Sequence, residues 1–199
     1  MRRACGAVAC LVAAALAGGC ASSVTLATPP QAKHVPAGLA APLRAQPASF
    51  GGAPCMREAV VRYLETPGGL VLAADRSAAD LVVSGNVTRV EVHSNRGDKE
   101  VSLLYFTAFV VTAPIAAVMY GVQEWRADAA ADGDLVAADP AGSVVWRKAI
   151  TVSVSETQTT MPTAEALKTA MTQAVCQKLA ATLLNGLADH LATARGAAR

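Results

Sequence analysis

Leu167, Met171, Val175, Leu179, Leu183, Leu187 and Leu191 recur at every fourth position near the end of the chain, with Ala170 and Ala174 beside them. That spacing keeps them on one side of an α-helix. It predicts a long helix from Thr163 to about Leu191 whose apolar stripe covers one face of a sheet. Thr163 suits an N-cap and Glu165 the positive end of the helix dipole. Asn185-Gly186 is where the helix is expected to end or bend. A second helix is predicted over 55–65. There Met56, Val60, Tyr63 and Leu64 follow helical spacing, while Arg57, Glu58, Arg62 and Glu65 take the other face. Pro54 fits its first turn, and Pro67-Gly68-Gly69 closes it.

The rest of the body alternates with period two. Leu70 to Ala73 is a short strand and Leu81 to His93 a long one. Leu81-Val82-Val83 is apolar on both faces, as in a central strand. Further on, Val90 and Val92 oppose Arg89, Glu91 and His93, while Val87 falls on the Arg89 side. The buried face therefore switches near Thr88, which a bulge or an edge would explain. Residues 124–138 and 143–155 form the clearest hairpin, with Asp139-Pro140-Ala141-Gly142 as its turn. Val144, Trp146, Ile150, Val152 and Val154 share one side of the second strand, and Arg147, Thr151, Ser153 and Ser155 the other. Lys148 interrupts the apolar side and belongs near an edge. The pattern predicts an α+β fold: a mixed or antiparallel sheet with two helices on one face.

Residues 101–121 interrupt this body with an uncharged stretch, VSLLYFTAFVVTAPIAAVMYG. It is long enough to span a bilayer, but a single span would put the strands on either side of it in different compartments. Pro114 also breaks a continuous helix. Three arrangements stand: a kinked or hairpin helical insertion, two buried strands turning at Ala113-Pro114, or a true span. In the first, Leu103, Leu104, Phe106, Phe109, Val110, Ile115 and Met119 offer a membrane or partner contact.

At the N-terminus, Met1-Arg2-Arg3 precedes an uncharged apolar run to Leu16, then Ala17-Gly18-Gly19-Cys20. The run has the length of a signal-peptide core. With its small residues leading into a cysteine, it resembles a bacterial lipoprotein signal, 1–19, although the pattern prefers a branched apolar residue where Ala17 stands. An ordinary secretory signal is the alternative, and either exports the chain. The resemblance implies that Cys20 is lipidated and held in the inner leaflet of the outer membrane, because Ala21 is not the aspartate that retains lipoproteins in the inner membrane. Pro29, Pro30, Pro36, Pro42 and Pro47 make 20–53 read as a flexible tether; Val24 to Ala27 is a weak strand candidate inside it. A single domain is expected over 54–193.

The leader also changes the charge and cysteine balance. The chain has 17 Lys+Arg and 15 Asp+Glu. Without Arg2 and Arg3 it is neutral, which removes the electrostatic case for nucleic acid. Cys5 and Cys10 leave with the leader, so Cys55 and Cys176 remain as a candidate disulfide of an oxidising compartment or as two buried thiols.

Catalytic signals are absent from the sequence. His34, His93 and His190 have no second ligand at metal spacing. Asp128, Asp132 and Asp134 share a strand face without the loop chemistry of a calcium site. No phosphate loop or nucleophile elbow occurs, and no cofactor is expected. Trp125 and Trp146 read as hairpin packing. The order of elements behind the signal, with Ala79-Asp80-Leu81-Val82-Val83-Ser84-Gly85-Asn86-Val87, resembles small α/β envelope lipoproteins. These are the auxiliary lipoproteins of envelope transport systems, the curli-secretion lipoprotein and the N-terminal domain of the Tol translocation β-propeller protein. The resemblance implies a non-catalytic adaptor or assembly factor with an envelope protein partner. A pore or secretion component using 101–121 is the alternative.

Overall fold

In the computed structural model, which describes Lys33, Val35, Pro36 and residues 41–96, 125–158 and 164–197, five strands form one sheet flanked by two helices. In chain order they are β1 (Leu43–Gly51), α1 (Cys55–Glu65), β2 (Leu70–Leu72), β3 (Leu81–Arg96), β4 (Trp125–Ala138), β5 (Val144–Gln158) and α2 (Ala164–Ala197). The sheet runs β2-β1-β3-β4-β5. β1 is parallel to β2 and to β3, whereas β3, β4 and β5 are antiparallel. The α+β expectation holds, with α1 packed on the parallel half and α2 on the antiparallel half.

Alternation decides which face the helices cover. Along β4, Ala127, Ala129, Ala131, Gly133, Leu135 and Ala137 are buried, and the residues alternating with them are partly exposed. On β5, Val152 and Val154 are buried while Thr151, Ser153 and Ser155 are exposed. Small alanines on β4 let α2 lie close. The stripe Leu167, Met171, Val175, Leu179, Leu183 and Leu187 fills the gap and is buried throughout, and Leu191 is partly buried against it. Trp146 also packs on this core.

Two local devices match the sequence. The β3–β4 register shifts between Val87 and Arg89, a bulge at Thr88 that keeps Val87 and Val90 on the covered side and Arg89 on the open one. The turn 139–142 closes with the Gly142 N–H donating to Asp139 O at 3.0 Å and the Ser143 N–H to Asp139 Oδ1 at 2.8 Å. Gly142 takes a φ of 96°, which explains the glycine there. Lys148 lies exposed on β5, an edge strand.

Three expectations change. The span read as tether to residue 53 contains β1, and Leu43, Ala45 and Pro47 are buried. Pro47 hid this strand. It is tolerated because β2 pairs with β1 at Leu43, Arg44 and Ala45 alone, so Pro47 has a strand neighbour on one side only, and pairing with β3 then shifts register before Phe50. The folded body thus begins near residue 43 rather than 54. Asn185-Gly186 does not end the last helix, which runs on to Ala197, past the expected ends at 191 and 193. Packing of Leu187 and Ala188 continues the buried stripe beyond the glycine, and tertiary burial outweighs glycine's poor helix propensity.

Val24 to Ala27, Thr163 and residues 101–121, with Leu103, Leu104, Phe106, Phe109, Val110, Ile115 and Met119, lie outside the described residues. The flanking strands, however, stay paired out to Arg96↔Trp125. They therefore stand side by side at one end of the sheet, an arrangement that a single membrane crossing between them would separate. Among the described residues, no helix is long and apolar enough to cross a membrane.

Cys55, at the start of α1, and Cys176, in the middle of α2, form a disulfide with Cα atoms 5.9 Å apart and a sequence separation of 121. Closing so long a loop restricts the unfolded chain. Replacing both residues by alanine is expected to lower the unfolding free energy by ~2–4 kcal/mol, measured by urea titration of the oxidised wild type and the double variant.

Candidate functional site

The face of the sheet opposite the helices carries the polar side chains of β3, β4 and β5. Because of the bulge at Thr88, Arg89 stands opposite Asp132. Its Nε donates to Asp132 Oδ2 at 2.8 Å, and Thr151 on β5 donates its hydroxyl to Asp132 Oδ1 at 2.6 Å. One carboxylate thus ties three strands. The Thr151 hydroxyl first, and then the Arg89 guanidinium, hold the Asp132 carboxyl below the ordinary 3.8. Asp134 pairs with Arg147 at 3.4 Å. Asp128 accepts from the Ser155 hydroxyl and lies 3.6 Å from Arg126. Glu91 lies 3.5 Å from Arg89 and 3.9 Å from His93.

The three aspartates expected on one face are there, each with its own arginine, and Asp128 and Asp132 with a hydroxyl as well. That produces a hydrogen-bonded surface of mixed charge rather than a concentrated negative site. A depression of about 690 Å³ opens among Asn86, Thr88, Asp132, Asp134, Arg147 and Thr151. Gly133, Ala149 and Ile150 complete its lining, so the depression is mixed rather than purely polar. Among the described residues, no group of three or more His, Cys, Asp or Glu is placed to hold a metal ion. His93 and His190 are exposed and His34 lies outside the described residues. Glu156, which the alternation of β5 places with Val152 and Val154, is 5% exposed on the helix side.

A second polar site lies at the far edge of the sheet, where sequence patterns gave no sign of it. Lys33 Nζ donates to Tyr63 O at 2.9 Å, to Leu70 O at 2.5 Å and to Thr66 O. An ammonium has three N–H donors, and here three carbonyls receive them. Tyr63 O and Thr66 O belong to the C-terminal end of α1, where the helix dipole favours a cation. The same ammonium lies 4.6 Å from the centroid of the Tyr63 ring, within cation–π range. Burial lowers Lys33 from 10.5 to about 8. Tyr63 in turn donates its hydroxyl to Asn185 Oδ1 on α2 at 2.6 Å. Burial, and next the charge of Asp189, push the Tyr63 phenol up to about 12.

No protein-family model matches the chain and no curated protein does, so the particular families that 79–87 resembles gain no support. Solved structures similar to it include a minor lipoprotein of Acinetobacter baumannii (10% identity, TM-score 0.37, covering 76% of this chain and 94% of that one). A neuraminyllactose-binding hemagglutinin homologue of Helicobacter pylori overlaps at 13% identity and a TM-score of 0.45, covering 88% and 98%. Rare lipoprotein B of Shewanella oneidensis overlaps at 13% and 0.36, covering 75% and 98%.

A carboxyl whose folded pKa is depressed contributes stability above its unfolded value and loses it as pH falls through the folded value. For the exposed Asp132 that contribution is small. Asp132→Asn is therefore expected to lower Tm by about one or two degrees at neutral pH. The difference from wild type should shrink and then vanish as pH falls from the ordinary carboxylate value through the depressed one, read by thermal melts across the acid limb.

Proposed function

We propose that the chain is a non-catalytic bacterial envelope lipoprotein, anchored by lipid on Cys20 and acting as an adaptor or assembly and transport accessory. The observation that carries this is Leu16-Ala17-Gly18-Gly19-Cys20 behind a charged start and an apolar run. The disulfide Cys55–Cys176 supports export, since such bonds persist in oxidising compartments. The pairing of the open-face aspartates, each with an arginine, supports contact rather than catalysis. Ala21 favours the outer membrane's periplasmic face, in a Gram-negative host. The partner is an envelope protein that meets the polar face of the sheet or the 101–121 stretch.

The test is processing and labelling. The parent chain is expected to take up radiolabelled palmitate, accumulate as a precursor under globomycin and partition with outer membranes. Cys20→Ser should lose all three behaviours; identical fractionation of the two chains would refute the anchor.

A second reading follows from the uncharged 101–121 stretch, whose flanking strands are held side by side at Arg96↔Trp125. An oligomer that gathers several such stretches would make a pore or secretion component. Native mass measurement in detergent separates the two readings: a ring of defined stoichiometry favours the pore, and a monomer favours the adaptor.

A further inference from the structure

The two halves of the Cys55–Cys176 bond have different surroundings. Cys176 is 0% exposed and belongs to the apolar core with Val175, Leu179 and Ala180 of the same helix. Cys55 is partly exposed. It lines two depressions between α1 and α2, and Cys176 lines neither. The larger, of about 340 Å³, adds Pro54, Glu58, Lys168, Thr172 and Gln173. The narrower continues along α1 to Arg62, with Gln177 on the facing helix. Both include Cys55, Glu58 and Gln173, so they form one polar groove with Cys55 where they meet. Its lining holds one carboxylate against two cations. Glu58 is paired with Arg62 at 2.7 Å, which leaves Lys168 as the surplus positive charge. Thiol–disulfide exchange requires a thiolate to reach one sulfur of the pair. Of these two cysteines, Cys55 is the one an outside molecule can reach.

We infer that Cys55 is the exchange site of this bond: the groove between α1 and α2 admits an anionic thiol or disulfide to Cys55, and Cys176 acts from within as the resolving cysteine. When the bond forms, the Cys55 thiolate attacks the disulfide of an oxidant. That S–S bond breaks; one of its sulfurs joins Cys55 and the other leaves as a thiolate. Cys176 then gives its proton to water and attacks Cys55 Sγ, and the oxidant's remaining sulfur leaves as a thiolate. Two electrons pass from the two cysteines to the oxidant, which ends as a dithiol. When the bond breaks, an outside thiolate attacks Cys55 Sγ and the Cys176 sulfur leaves. Both directions pass through one mixed disulfide, on Cys55. The partner is a thiol–disulfide oxidoreductase with negative charge beside its reactive cysteine, to suit Lys168. Membrane anchoring at Cys20 is not required for any of these steps. The bond joins α1 on the parallel half of the sheet to α2 on the antiparallel half, so the groove is where that joint is made or opened.

The test maps the adduct. The oxidised full chain is incubated with millimolar glutathione, an anionic thiol, then quenched in acid, unfolded, alkylated and cut with trypsin. Cys55 and Cys176 fall in different peptides, 45–57 and 169–178, and the other cysteines in neither. Mass therefore reads which sulfur carries glutathione. The adduct is expected on 45–57, in roughly tenfold excess or more over 169–178. In urea, where burial is lost, the two peptides should share it. The forming direction is read with glutathione disulfide on Cys176→Ala and Cys55→Ala. Cys55 left alone should take up glutathione roughly tenfold faster than Cys176 left alone. Circular dichroism checks that both variants are folded; should either be unfolded, the mapping on the wild type decides. Lys168→Glu at low ionic strength should slow the glutathione adduct roughly threefold and speed the adduct of cysteamine, a cationic thiol, by a similar factor. Three results would overturn exchange at Cys55: an adduct mainly on 169–178, equal adducts on both peptides of the folded chain, or none where the urea-unfolded chain reacts. Rates of both thiols unmoved by Lys168→Glu would overturn the preference for an anionic partner.

Discussion

The body depends on how closely one helix can approach one strand. Leu179 of α2 meets β4 at Gly133, where a Cβ would stand 2.7 Å from Leu179 Cδ2 and 2.9 Å from Asn86 O. The same position faces the β3 bulge, since Val87 pairs with Gly133 just before the register shifts. Missing side-chain volume on β4 and an extra residue on β3 together make the hollow that the leucine stripe fills. Alanines at 127, 129, 131 and 137 extend that hollow along the strand. Close packing of this kind is sensitive to a single methyl group.

With α2 seated, the remaining elements are tied to it. The Cys55–Cys176 bond and the Tyr63–Asn185 hydrogen bond join α1 to α2 at two points. α1 covers the parallel half of the sheet and α2 the antiparallel half, so these links hold the halves to a common core. Tyr63 does more than bridge. Its ring underlies Lys33, and its carbonyl is one of the three that hold the ammonium. The fold thereby positions two surfaces at opposite edges: a polar face of mixed charge over β3–β5, and the fastening point of the N-terminal segment beside β2.

Much of this was legible in the residues, for local reasons. The four-residue spacing of Leu167 to Leu187, the alternation of 144–154, the turn at 139–142 and the phase change at Thr88 are all signals carried by neighbouring side chains. The cysteine pair followed from subtraction of the leader. What escaped depended on distant chain. β1 was masked by Pro47, and its tolerance there arises from the shortness of β2, which the sequence of β1 does not contain. The continuation of α2 through Gly186 reflects burial, not propensity. The Lys33 seat joins residues 30 to 37 positions apart, and a lone lysine among prolines carries no period that would betray it. Of the open-face network, the aspartates were visible as a row, but their pairing with Arg89 and Arg147 depended on the bulge and on strand register.

The central claim is that the close approach of α2 to β4 at Gly133 organises the body, and one substitution tests it. Gly133→Ala is read by urea unfolding together with amide hydrogen exchange of β3 and β4. The account expects a loss of ~1–3 kcal/mol, with exchange faster in β3, β4 and α2 together, because backbone as well as Leu179 must yield. A variant as stable as the parent, with protection unchanged across those three elements, would contradict it.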